Sequence, residues 1–403
     1  MNTSTHPFSL FIKAEGAQCN LDCSYCYYLN RQDGDKRSSM SLDMMEQIVG
    51  AHIDAQPMKA QQVDFIWHGG EPMLRGLDFY ETAMKAQVSK VTKKRVVNTM
   101  QTNGTMINDR WASFFAKHNF MMGISIDGPN ILNDIARIDK NGQSSFERTM
   151  RGMSYLKKHN VEFNTLTVVN NKTYKHGKTI YQFLVENGSG YMQFQPCIDH
   201  ELDRRTGHDW SLTGEQWGQF LCDLFDAWSA NDVGKVYIQF FENCLMVLMG
   251  YQSQMCHHSA TCGQQLMVEH DGNVYSCDHY GYQDHQLGTM NSDKLATMAS
   301  SPEQIAFGTN KYHELNSTCR RCDFVELCQG GCPKNRIATT EDGSPMNHLC
   351  QGYEMFFRHA LPKLLPMVEA MKKGYSPAYF PLFKSLGVGH DQRPKLTAAH
   401  FGA

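Results

Sequence analysis

Three thiols fall within eight residues, Cys19-Asn-Leu-Asp-Cys23-Ser-Tyr-Cys26, directly after the apolar run Phe8-Ser-Leu-Phe-Ile12. On a loop leaving a strand, Cys-x3-Cys-x2-Cys can hold three corners of a cubic iron-sulfur cluster and leave the fourth iron without a protein ligand. That iron is then free to bind a substrate or cofactor. A structural zinc ion closes its tetrahedron with four protein ligands, and free core cysteines have no reason to bunch in this way. Eight more cysteines follow downstream: Cys256, Cys262, Cys277, Cys319, Cys322, Cys328, Cys332 and Cys350. Eight thiols suffice for two four-thiolate sites, and taken alone they leave zinc and iron-sulfur equally open. Cys197, Cys222 and Cys244 lack metal spacing and read as packing residues.

The elements that must carry these thiols come in two stretches. Short apolar or alternating runs, Phe8 to Lys13, Val63 to Trp67, Val96 to Gln101, Phe120 to Ile126, Phe163 to Val169 and Tyr191 to Gln195, are strand candidates. Amphipathic segments lie between them. Met45, Ile48 and Val49 form one apolar face behind a Ser41 cap, and Ile180, Phe183 and Leu184 another that stops at Asn187-Gly188. Six strands alternating with helices predict a parallel α/β array. Residues 211–250 read as helical, bridging to a hairpin in which Asp271-Gly272-Asn273 joins Leu266–His270 to Val274–Ser276. The expected division is 1–235, 236–365 and a C-terminal extension 366–403 whose last stretch is expected to be mobile.

In a parallel α/β array, ligands sit at the C-terminal ends of the strands. The second strand ends in Trp67-His68-Gly69-Gly70-Glu71-Pro72, the third in Gln101-Thr102-Asn103-Gly104-Thr105, the fourth in Ser125-Ile126-Asp127-Gly128-Pro129. Each alone is ordinary turn chemistry. His68 reads as a lining or structural histidine. A net charge of −3 over 403 residues shows no excess that would draw nucleic acid. The first residues lack a signal-peptide pattern and no apolar run is long enough to span a bilayer, so a cytoplasmic location without membrane contact is expected.

The three-cysteine loop, with the aromatic Tyr25 before its last thiol, resembles the signature of the radical S-adenosylmethionine (SAM) enzymes. That resemblance implies an incomplete (βα)6 barrel. It also implies SAM contacts from the Gly-Gly-Glu-Pro motif, from Ser125 and Arg137 to the carboxylate or ribose, and from Tyr25, Gly70 and Ile198. The downstream cysteines with Gly272 resemble the SPASM extension, which carries two auxiliary 4Fe-4S clusters. The resemblance implies Cys19, Cys23 and Cys26 for the barrel cluster, Cys256, Cys262, Cys277 and Cys332 for the first auxiliary cluster, and Cys319, Cys322, Cys328 and Cys350 for the second.

Asp278, directly after Cys277, reads by itself as a hydrogen-bond acceptor for nearby backbone. From Phe8 to Phe357, however, the motifs are similar to those of the anaerobic sulfatase-maturating enzymes, in which an aspartate at this place serves as general base. The resemblance implies oxidation of a serine or cysteine in an unfolded sulfatase precursor to Cα-formylglycine, with an electron donor such as flavodoxin or ferredoxin and a monomeric chain. Two alternatives remain open. One is a radical SAM peptide modifier that forms thioether or carbon-carbon crosslinks; the other is a non-catalytic zinc- or cluster-bearing regulator.

Overall fold

The structure, a computed structural model, describes residues 3–28, 39–90, 93–200 and 209–385. One twisted sheet organises the chain. Its strands are β1 (Ser9–Lys13), β2 (Gln62–Trp67), β3 (Arg95–Thr102), β4 (Met121–Ser125), β5 (Phe163–Val169), β6 (Tyr191–Pro196), β7 (Tyr237–Ile238), β8 (Gln265–Glu269), β9 (Asn273–Tyr275) and β10 (Gln286–Thr289). They are ordered β10-β9-β8-β1-β2-β3-β4-β5-β6-β7. Strands β1 to β6 run parallel in sequence order, with registers such as Leu10↔Phe65, Phe65↔Asn98 and Thr102↔Ile124. Parallel strands put all their C-terminal ends, and the loops after them, on one edge.

Helices cover the apolar positions of this sheet. The helix Leu42–Ala55 starts where expected: Ser41 Oγ accepts from the Met44 N–H at 3.1 Å, filling one of the orphan donors of a first turn. Its buried face includes Met45, Ile48 and Val49. The helix Gly177–Glu186 ends at Asn187, with Gly188 at φ +78°. A left-handed φ suits glycine and terminates the helix there.

The bridging segment departs from expectation. It forms two helices, Gly214–Asn231 and Gln239–Leu248, with β7 between them. Gly234 at φ +76° breaks the helix, and Tyr237 then pairs with Tyr191 of β6, their rings stacked 5.1 Å apart. The long helix Cys350–Lys372 packs along Gly214–Asn231 where Gly214, Gly218 and Gly352 allow contact between backbones; a Cβ on Gly352 would lie 2.1 Å from the Gly214 oxygen. This helix runs through residue 366. The tail beyond Ser385 lies outside the described residues.

A hairpin extends the sheet on the far side of β1. Strands β8 and β9 turn about Gly272 at φ +87°, as the Asp-Gly signal predicts. β8 then adds in parallel to the free edge of β1, with Ile12↔Val268 and Lys13↔Glu269 in register. The cysteine-rich half of the chain therefore shares a sheet with the first half. Among the described residues no helix is long and apolar enough to cross a membrane.

Candidate active site at the strand ends

The loop after β1 carries the three clustered cysteines and lies on the loop after β2. Gly70 N–H donates to the Gly16 carbonyl and Glu71 N–H to that of Gln18, both at 2.8 Å. The contact requires glycine: a Cβ on Gly70 would lie 2.0 Å from the Gln18 oxygen. Glu71 itself turns inward, its carboxylate accepting from Thr102 Oγ1 at 2.8 Å, Asn103 N–H at 2.9 Å and Met73 N–H at 3.0 Å. It thereby joins the ends of β2 and β3. Asn20, Asn103 and Thr105 tie the cysteine loop to the end of β3 through bonds of 2.8 and 2.9 Å.

Cys23 and Cys26 are both electrostatic neighbours of Cys19. Burial, with Glu71 adding to it, pushes the Cys19 thiol up to about 12, and burial pushes Cys23 up to about 11. Buried thiols at such values are inert unless a metal deprotonates them, which coordination does outright. The donor set therefore fits a thiolate-held cluster.

Beside it lies a buried polar triad that joins Tyr25, Asp127 and Arg137. The Tyr25 hydroxyl donates to Asp127 Oδ2 at 2.6 Å and accepts from Arg137 Nη1 at 2.9 Å. Burial raises the Asp127 carboxyl, and Arg137 opposes that shift. Arg137 also acts on Cys23, so its charge stands at the cysteine loop. Ser125 Oγ, at the end of β4, accepts from Gln101 Nε2 at 2.9 Å. Ile198 follows β6 and is half-buried against the core.

A second array joins the two halves of the chain. Lys13, the last residue of β1 and fully buried, forms an ion pair with Asp278. Tyr27 Oη donates to the other carboxylate oxygen, Asp278 Oδ2, at 2.9 Å. His68 Nδ1 faces Lys13 Nζ at 3.0 Å and accepts from Gly69 N–H at 2.7 Å, which puts the ring proton on Nε2. Burial, with the Lys13 cation adding to it, pulls His68 down to about 3, so the imidazole is neutral. Lys13 also lies over the Tyr28 ring at 4.6 Å, and Tyr28 Oη donates to Glu269 Oε1 at 2.6 Å. Thus Asp278 stands between the loop of Cys26 and the loop of Cys277. The sequence alone does not single out Lys13, Tyr27 or Asp127; of the three only Lys13, a charged residue closing an apolar strand run, carries a legible signal.

Eight of the remaining cysteines gather into two groups. Cys256 and Cys332 are electrostatic neighbours of both Cys262 and Cys277. Cys319, Cys322 and Cys350 surround Cys328. Among the described residues no three of these groups are placed to share one ion; in a cubic cluster each thiolate binds its own iron. Cys244 is fully buried, Cys197 lies with Ala136 and Trp210, and Cys222 packs half-buried on the core.

The profile of the Radical SAM superfamily matches residues 16–184, and that of an iron-sulfur cluster-binding domain, SPASM, matches 259–323. A serine-type anaerobic sulfatase-maturating enzyme of Bacteroides thetaiotaomicron is 39% identical over 92% of this chain and 94% of that one. The chain belongs to the anaerobic sulfatase-maturating enzymes. A cysteine-type member of this family from Clostridium perfringens is 32% identical over 91% of this chain and all of its own. The crystal structure of native anSMEcpe with bound AdoMet and Cp18Cys peptide superposes with a TM-score of 0.83 at 31% identity, over 90% of this chain and 99% of that one. SuiB of Streptococcus suis, at 16% identity and a TM-score of 0.61, shares the fold. As a radical SAM and SPASM member of the sulfatase-maturating family, the chain is an enzyme whose cofactors are 4Fe-4S clusters and SAM.

Proposed function

We propose that this enzyme oxidises a serine or cysteine of an unfolded sulfatase precursor to Cα-formylglycine. The observation that carries the reading is Asp278 held by Lys13 and Tyr27 between the two cysteine-bearing loops. Cys19, Cys23 and Cys26 would hold the barrel cluster; Cys256, Cys262, Cys277 and Cys332 the first auxiliary cluster; Cys319, Cys322, Cys328 and Cys350 the second. Tyr25, Gly70, Ser125, Arg137 and Ile198 would line the SAM site, where the buried guanidinium of Arg137 is suited to a carboxylate. Bound there, the barrel cluster and SAM would supply a radical that abstracts hydrogen from carbon, and the auxiliary clusters a sink for the electron that the oxidation releases.

The chain's own part is proton transfer and exclusion of water. Aldehyde or thioaldehyde formation requires the substrate side chain to lose its O–H or S–H proton. Asp278 accepts it, as a carboxylate held in place by Lys13 and Tyr27 beside the cluster-bearing loops. Lys13 offsets the carboxylate charge, and the neutral His68 orients Lys13 by accepting from it. At 8% exposure Asp278 is largely shielded from water, which would help protect a reactive carbon centre beside it from stray donors. An external one-electron donor of flavodoxin or ferredoxin type, a cytoplasmic setting and a monomeric chain complete the proposal.

Anaerobic incubation of the reconstituted enzyme with SAM, reductant and sulfatase-motif peptides, read by mass spectrometry, tests it. The serine peptide should lose two hydrogens; the cysteine peptide should also exchange sulfur for oxygen. Formation of 5′-deoxyadenosine with both peptides untouched would instead favour a crosslinking peptide modifier.

A further inference from the structure

Two cations lie beside the auxiliary cysteine groups, Lys311 at one and Arg336 at both, and the catalytic array does not use them. Lys311, on the helix Pro302–His313, is 1% exposed, and its ammonium donates to the Ser259 carbonyl. The charged groups acting on it are the thiols of Cys262, Cys256 and Cys332 together with Arg336. Arg336 Nη2 donates to the Lys311 carbonyl at 2.8 Å, while Nε reaches the Gly330 carbonyl at 3.3 Å. Its Nη1 is buried with no hydrogen-bond partner. Arg336 acts on Cys262 of one group and on Cys319 of the other. The partners of both cations are carbonyls and thiols, and no carboxylate among the described residues answers either charge.

A buried ammonium beside a half-buried guanidinium is stable only next to an anion. A cluster held by four thiolates is such an anion, and each electron it takes up adds negative charge. From the burial of Lys311 and of the Arg336 Nη1 atom beside the cysteine groups, we infer that the two cations are the fixed counter-charges of the auxiliary clusters, and that Lys311 raises the reduction potential of the one held by Cys256, Cys262, Cys277 and Cys332. This rests on the ligand sets proposed above. A cation beside a cluster stabilises its reduced form more than its oxidised form, and the effect is large where water is excluded. Lys311 is thereby a positioning residue that acts through charge, without touching substrate. Its cluster takes up an electron more readily than it would without that charge.

The test uses the full chain with Cys19, Cys23 and Cys26 replaced by alanine, so that only auxiliary clusters remain. Iron and sulfide content is measured, and an EPR-monitored redox titration is run for this background and for Lys311→Met and Lys311→Arg within it. In Lys311→Met one of the two potentials should move to a more negative value while the other stays, and Lys311→Arg should restore it. Loss of one cluster in Lys311→Met but not in Lys311→Arg would equally show that the charge is needed. Unchanged potentials with both clusters present overturn the inference, as does the same loss of iron in both variants, which would mark a packing role. A background protein that binds fewer than two clusters would contradict the ligand sets instead.

Discussion

Tyr27 and Asp278 are 251 positions apart, yet the phenol donates to Asp278 Oδ2 at 2.9 Å. Tyr27 follows the last cysteine of the first loop and Asp278 follows Cys277, so this bond ties the two cysteine-bearing regions together at the end of β1. Replacing the proposed base Asp278 should cost more than replacing its partner Tyr27. Asp278→Asn should retain clusters and SAM cleavage and lose product by about 10²–10⁴-fold, the usual worth of a general base. Tyr27→Phe, which removes one hydrogen bond to a charged acceptor, should lose about tenfold. Product and 5′-deoxyadenosine quantified in the same reactions check both. Equal losses of the two compounds would place the defect before the proton step.

Gly70 tests the junction of the first two strand-end loops. An alanine there puts its Cβ 2.0 Å from the Gln18 oxygen and 2.5 Å from the Gln18 carbonyl carbon. Backbone must move, at a cost of about 1–3 kcal/mol, and the part that moves is the loop of Cys19. Gly70→Ala should therefore lose the barrel cluster while the auxiliary iron stays. Iron content and the EPR signal of the SAM-bound reduced protein report this directly.

His52 sets an acid limit on stability. It is fully buried between Phe8 and Phe65, its Nε2–H donates to the Asp64 carbonyl at 3.0 Å, and Nδ1 accepts from Gln56 at 3.3 Å. Burial lowers its pKa from 6.5 to about 4. Between those values the unfolded chain binds a proton that the folded chain refuses, so stability falls as pH drops from about 6.5 toward about 4. The contribution is on the order of 1–3 kcal/mol at its largest. Thermal unfolding of His52→Gln should show a lower Tm at pH 7 and a shallower decline toward pH 5 than the unsubstituted chain. Parallel slopes would remove His52 as the cause.

Residue types and spacing along the chain determined what is local. Three thiols in one loop, Cys319 and Cys322 at Cys-x2-Cys spacing, strands that alternate with helices, and Asp-Gly in a tight turn are each read within a few residues, because ligands of one cluster edge and the residues of one turn must be near in sequence. The helix Gly214–Asn231 was legible for the same reason, whereas β7 was not, since two residues of strand have no period and exist only because Tyr191 offers an edge to pair with.

The tertiary structure alone decided which loops meet. Nothing in the composition of β8 says that it pairs with β1, but the register Lys13↔Glu269 is what brings Cys277 and Asp278 to Lys13 and Tyr27. It also decided that Glu71 points inward to Asn103 and Met73, and that Lys311 and Arg336 stand beside thiols contributed by distant segments. The physical reason is that strand pairing and burial act through space: a hydrogen-bonded register fixes the position of side chains hundreds of residues apart, and a buried charge takes its meaning from neighbours that the chain order does not reveal.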